Sequence, residues 1–127
     1  PGILQETVVL SPDNRRIAYV ASKLNAKAVV VLDGVESDEY DDADNFVFSP
    51  DSKRFAYAAS SGGAWFVVVD GEKLKGYERV GAQTRKFSPD NKRLGYMVWE
   101  PSKNRQFIVV DGVEKEKYVS IFVDFPV

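Results

Sequence analysis

Cysteine and histidine are both missing from the 127 residues. Their absence removes disulfides, thiolate and imidazole zinc sites, cysteine nucleophiles and every mechanism in which histidine activates a serine or a cysteine. A strong charge of either sign is missing too, since 17 Lys and Arg stand against 19 Asp and Glu for a net −2. Nucleic acid and acidic membrane surfaces usually call for a clear basic excess, so neither is an expected partner. Apolar stretches run only a few residues, too short to span a bilayer, and no charged-then-apolar leader opens the chain. The chain starts at Pro1 rather than Met, which fits a trimmed or excised piece and leaves the compartment open. No cofactor motif is legible and no cofactor is expected. What remains, at 44% hydrophobic and 28% charged, has the bulk and composition of one domain over residues 1–127, without marks of disorder.

What is present is a repeat. Ser11-Pro12-Asp13, Ser49-Pro50-Asp51 and Ser88-Pro89-Asp90 recur at spacings of 38 and 39 residues. Five residues after each Ser stands Arg16, Arg54 or Arg93, and eight after it Tyr19, Tyr57 or Tyr96. Each copy then has an apolar run closed by Asp-Gly: Val29 to Gly34, Phe66 to Gly71 and Phe107 to Gly112. Six residues past each Gly comes Tyr40, Tyr77 or Tyr118. The copies span about 7–45, 46–84 and 85–123.

Each copy parses into four short strands, a to d, because β-branched and aromatic runs alternate with turn chemistry about every 8–12 residues. Strand a (Val8 to Leu10, Phe46 to Phe48, Arg85 to Phe87) enters Ser-Pro-Asp, where Pro presets φ and the Ser and Asp side chains bond nearby N–H groups. Strand b carries the first Tyr and strand c is the Val-rich run. Asp-Gly suits a two-residue hairpin turn into strand d, which ends near the second Tyr. The c strands are apolar at consecutive positions, so both faces should be covered. Radially stacked blades of a β-propeller provide that environment, and a β-trefoil, also three four-stranded repeats, explains it less well. The expected fold is all-β, with three four-stranded antiparallel propeller blades.

The pattern Ser-Pro-Asp-x-x-Arg-x-x-Tyr followed by an apolar strand resembles the bacterial WD-repeat-like, TolB-type propeller repeat, over nearly the whole chain. The Gly-His and Trp-Asp pairs of the eukaryotic WD repeat are absent. The resemblance implies a scaffold, commonly for protein interaction and sometimes with a ligand in the central channel. It implies no shared catalytic residue.

Closed propellers usually have at least four blades, so three copies leave two blade faces to be covered. Either the chain is cut from a longer protein, or two copies form a six-bladed homodimeric ring. Charge bears on the choice: residues 7–45 hold four Lys/Arg and eight Asp/Glu, whereas residues 85–123 hold eight and five. In a two-fold ring the acidic first copy meets the basic last copy of the partner, although surface charge also drifts between repeats without consequence. Thr7 to Leu10 and Phe122 to Phe125 both fall at the a-strand position, so one strand is surplus. It serves either to complete a partner's blade or to protect an edge.

Hairpin connections alternate between ends, which places the repeated turns on one face and the non-repeating b–c and d–a loops on the other. Binding residues favour loops on a rigid scaffold, so the variable face is the candidate surface. Its candidates are Trp99, Glu100, Lys103 and Asn104 around the longest b–c loop, Asp41, Asp42, Asp44 and Asn45 in one d–a connection, and Gln83 and Thr84 in the next. Trp65 and Trp99 replace Ala28 and Gln106, and Ser22 and Ser60, in the other copies; Trp65 reads as packing and Trp99 as an anchor. The acidic run invites a calcium reading but lacks the turn Gly and distal Glu of an EF-hand loop, and a solvated strand end explains it as well. No metal ligand is assigned. The expected function is non-catalytic binding of a protein or small ligand through this face. The alternative is a glycosidase-like propeller hydrolase drawing on loop carboxylates.

Overall fold

A computed structural model describes residues 8–81 and 86–119, apart from the side chain of Asn45. Its strands form three separate antiparallel sheets, one for each repeat, the second and third each beginning with residues from the end of the preceding repeat. The first blade contains β1 (Val9–Leu10), β2 (Ile17–Ser22), β3 (Ala28–Leu32) and β4 (Val35–Glu36) in sequential order. The second contains β5 (Asp42–Phe48), β6 (Phe55–Ser61), β7 (Ala64–Val69) and β8 (Glu72–Lys73). In the third, β9 (Arg79–Val80) and β10 (Lys86–Phe87) both pair with β11 (Leu94–Glu100), followed by β12 (Arg105–Val110) and β13 (Val113–Glu114). Three independent sheets packed face to face are propeller blades. A trefoil would join its hairpins into one barrel, and that alternative is set aside.

The middle blade shows why the b and c strands are apolar at every position. In β6, Phe55, Tyr57 and Ala59 join one core with Val20, Val30 and Tyr40 of the first blade. Ala56, on the opposite face, joins another core with Tyr96, Val98 and Phe107 of the third. Alanines at 56, 58 and 59 are fully buried, which lets neighbouring sheets approach closely. The first strands of the second and third blades, β5 and β10, are in direct contact. Their outer strands β8 and β13 are linked instead across long side chains near Lys75 and Glu114. The blades therefore converge at strand a, which forms the inner edge.

The turn sequences act as expected. Ser49 Oγ donates to Asp51 Oδ1 at 2.6 Å and accepts from the Arg54 N–H at 2.9 Å, and the other two copies repeat both bonds. Asp70 and Gly71 have φ of 50° and 84°, the two positive values of a type I′ hairpin turn.

Strand a is longer than its sequence implies. Pairing begins at Asp42 opposite Ser60 and continues to Phe48, with a register shift between Asp44 and Val47. Asp42, Asp44 and Asn45 therefore lie in a strand rather than a d–a loop. Polar residues are tolerated there because β5 is the edge of its sheet, and the irregularity re-aims the chain where the charges give way to Phe46. Strand d is correspondingly short; Tyr40, Tyr77 and Tyr118 return only as isolated bridges to Ala28, Trp65 and Gln106.

Candidate functional site

The repeated turns are used for blade-to-blade fastening. Arg16 donates from Nε to Asp33 of its own blade at 2.8 Å, and from one terminal nitrogen to the Ser52 and Lys53 carbonyls of the next blade at 3.1 and 3.2 Å. Arg54 does the same with Asp70, Asn91 and Lys92 at 2.8, 3.2 and 3.1 Å. Each guanidinium also lies over a ring of the next blade, Phe48 or Phe87, at 5.8 and 5.1 Å. A groove of about 560 Å³ beside Arg16, Phe55 and Asp70 recurs beside Arg54, Leu94 and Asp111 at about 340 Å³. Recurrence at both junctions marks these grooves as products of blade stacking.

On the opposite face the acidic residues are largely committed. Asp41 pairs with Lys27 of the first blade and accepts from the Gly62 N–H at 2.9 Å, tying the b–c turn of the second blade to strand c of the first. The Lys27 ammonium, then the Gly62 N–H, hold the Asp41 carboxyl below the usual range. Glu78 occupies the same place one repeat later and accepts from the N–H of Ser102 at 3.1 Å and from its hydroxyl. Asp42 accepts from the adjacent Ala43 N–H at 2.8 Å. Among the described residues no three carboxylates converge as a metal site would require.

The longest b–c loop is a 3₁₀ turn over Pro101–Lys103. Asn104 ends it in the left-handed region, φ 51°, a conformation that asparagine accepts readily. Glu100 is turned inward and buried, with Arg105 Nε at 2.8 Å and a terminal nitrogen at 2.7 Å, and Lys103 at 3.9 Å. It braces the loop. Gln83 and Thr84 lie outside the described residues, as does the side chain of Asn45.

One arrangement on this side has no counterpart among the described residues of the other copies. Arg79, in the edge strand β9, is paired across the sheet with Trp99, and its guanidinium lies 5.7 Å from the indole centroid. Together with Val80, Gly81, Met97 and Gln106 they line a recess of about 280 Å³. A second recess of about 180 Å³ is bounded by Asp44, Trp65, Arg79 and Val80. Arg79 thus separates two small recesses at the inner edge of the third blade, one walled by each tryptophan. Trp65 is half-buried between blades, whereas Trp99 is the more exposed. The structure therefore brings Trp99 and Asp44 to the two sides of one arginine, and leaves Glu100, Lys103, Asn104 and Asp41 to the loop supports.

Arg79 was not among the sequence candidates. A signal existed: Arg79 sits opposite Trp99 where the second copy sets Asp42 opposite Ser60. The reversal of charge and the change in size at one matched pair becomes visible only once strand a is known to reach back to these positions.

The chain is similar to the β-propeller domain of the Trilobed protease from Pyrococcus furiosus, described as having an open velcro topology, with a TM-score of 0.53 and 11% identity. That likeness covers 81% of this chain and 38% of the protease chain, so the chain spans well under half the length of that relative. Hydrazine synthase of Kuenenia stuttgartiensis aligns at a TM-score of 0.48 with 22% identity, over 88% of this chain and 36% of that one. No family model and no curated protein matches the chain. The first likeness agrees with the three sheets in showing a partial β-propeller.

Proposed function

We propose that the chain is a non-catalytic propeller scaffold of the bacterial WD-repeat-like, TolB type that binds a protein or small ligand at the inner edge of its third blade. The observation that carries this reading is Arg79, flanked by the chain's two tryptophans and lining a recess on either side. Aromatic and arginine side chains give large contact areas at modest entropic cost and dominate binding energetics where they occur together. A guanidinium beside an indole suits a ligand with a planar or apolar part next to an acceptor group. Among the described residues of the variable face, Asp41, Glu78 and Glu100 are engaged in bracing loops.

The glycosidase-like alternative draws less support. Such chemistry needs one carboxylic acid held protonated near neutrality beside a carboxylate, and Asp41 is shifted the opposite way by Lys27.

A fragment screen read by the two indole N–H resonances tests the proposal. Ligands that shift the Trp99 and Trp65 signals together, and lose affinity at least tenfold in Trp99→Ala or Arg79→Ala, are expected. Fragments that cluster at the Ser-Pro-Asp turns, or turnover on a glycoside panel that disappears in Asp42→Asn or Asp44→Asn, would count against it.

A further inference from the structure

The arginine fastening has a direction. Each blade supplies the arginine, and the following blade supplies the two turn carbonyls, the ring beneath the guanidinium and a side-chain acceptor. That acceptor is Ser52 Oγ for the Asp13 N–H at 3.1 Å, and Asn91 Oδ1 for the Asp51 N–H at 2.8 Å. The third blade has the donor half of this set without a following blade among the described residues. Arg93 reaches Asp111 only at 3.7 Å, and its side chain is far more exposed than those of Arg16 and Arg54.

The first blade has the matching acceptor half, with the aliphatic Leu10 in place of the ring. Asn14 stands where Ser52 and Asn91 stand, in the same left-handed conformation, with φ of 60° against 64° and 66°. Leu10 occupies the position of Phe48 and Phe87 and is 54% exposed where they are 8% and 7%. At the other end Tyr118 is 52% exposed where Tyr40 and Tyr77 are 8% and 5%. Val29 and Val31 in the middle of the first blade are buried, while Leu10, Ile17 and Val35 beside the a–b and c–d turns are exposed, as is Leu24 in the b–c turn. These are the two faces of one kind of junction, carried at opposite ends of one chain.

We propose that a second copy of this chain docks head to tail, with Arg93 of each copy donating to the Asn14 and Arg15 carbonyls of the other and Asp90 N–H bonding Asn14 Oδ1. Applied twice about a two-fold axis, this contact closes a ring of six blades and leaves no blade end open. Net charge favours it: the first repeat carries four basic and eight acidic residues, the third eight and five. The inference does not depend on ligand binding at Arg79. In the ring, Trp99 lies at the far end of the same junction from Arg93.

Light scattering on the intact chain at low salt is expected to give a mass of about 28 kDa, twice 14.2 kDa. Because the junction joins two different faces, Arg93→Glu and Leu10→Asp should each lower the mass to that of one chain while the far-UV spectrum stays that of β-sheet. Both side chains are exposed in the single chain, so neither change should unfold it. A monodisperse monomer for the unaltered chain, a mass that climbs past two copies with concentration, or a dimer abolished by only one of the variants would each overturn the proposal.

Discussion

A single arginine position shows how one side chain fixes blade geometry. Arg16 and Arg54 each make one ion pair and two charge-assisted bonds to backbone carbonyls, with the guanidinium over a ring of the following blade. Hydrogen bonds to charged groups contribute roughly 1.5–3 kcal/mol when desolvated, and partial exposure draws that down. Arg16→Ala and Arg54→Ala are each expected to cost about 2 kcal/mol, and by similar amounts because the bonds repeat. Urea unfolding checks both the size and the match. Arg→Lys at either position should lose most of the same stability, since an ammonium cannot hold an aspartate and two carbonyls at fixed angles. The sequence shows these arginines as a regular position after Ser-Pro-Asp. It does not show that they reach the next copy, because the carbonyl acceptors carry no residue signature.

At the scale of strands and turns, much of the fold was legible because turn chemistry is local. Ser-Pro-Asp and Asp-Gly specify their hairpins through bonds spanning five residues or fewer and through positive φ. The start of strand a was not legible. Asp42 to Asn45 has the composition of a loop, yet it pairs with β6 because an edge strand can expose charge. Misplacing that start hid Arg79, while Trp99 was legible from its mismatch with Ser22 and Ser60. The outer strands supply a pH-dependent element. Glu114 of β13 accepts from the Tyr77 hydroxyl at 2.7 Å, from Lys75 at 2.9 Å and from Lys117 at 3.0 Å. The Tyr77 hydrogen bond first, then the two lysines, lower its pKa from 4.5 to about 2. A carboxylate lowered on folding stabilises the folded state above its ordinary pKa and loses that contribution as pH falls toward the folded value. Glu114→Gln should therefore melt below the unaltered protein at pH 7, with the gap narrowing below 4.5 and closing near 2. A gap that is constant across that range would mean Glu114 acts by packing alone.

At the scale of the molecule, stacked blades behave as a one-dimensional array whose stability is a sum of blade terms and junction terms. Among the described residues the middle blade has two junctions and each end blade has one. The strand burials follow this: Phe55 to Ser60 are buried without interruption, whereas β2 and β11 alternate with partly or fully exposed residues. In the single-chain state, amides of β6 and β7 should exchange with solvent more slowly than those of β2 and β11, because opening an end blade breaks one junction and opening the middle one breaks two. Closure of a six-bladed ring changes this count, since every blade then has two junctions. Hydrogen exchange followed by mass spectrometry should accordingly show a gradient from middle to ends in Arg93→Glu and a flatter profile in the unaltered chain. The comparison is internal to one polypeptide, so differences in intrinsic exchange cancel between the two samples. The gradient tests the array description itself: a variant reduced to single chains whose three blades exchange alike would show that the blades open together, with the junction terms too strong to separate them.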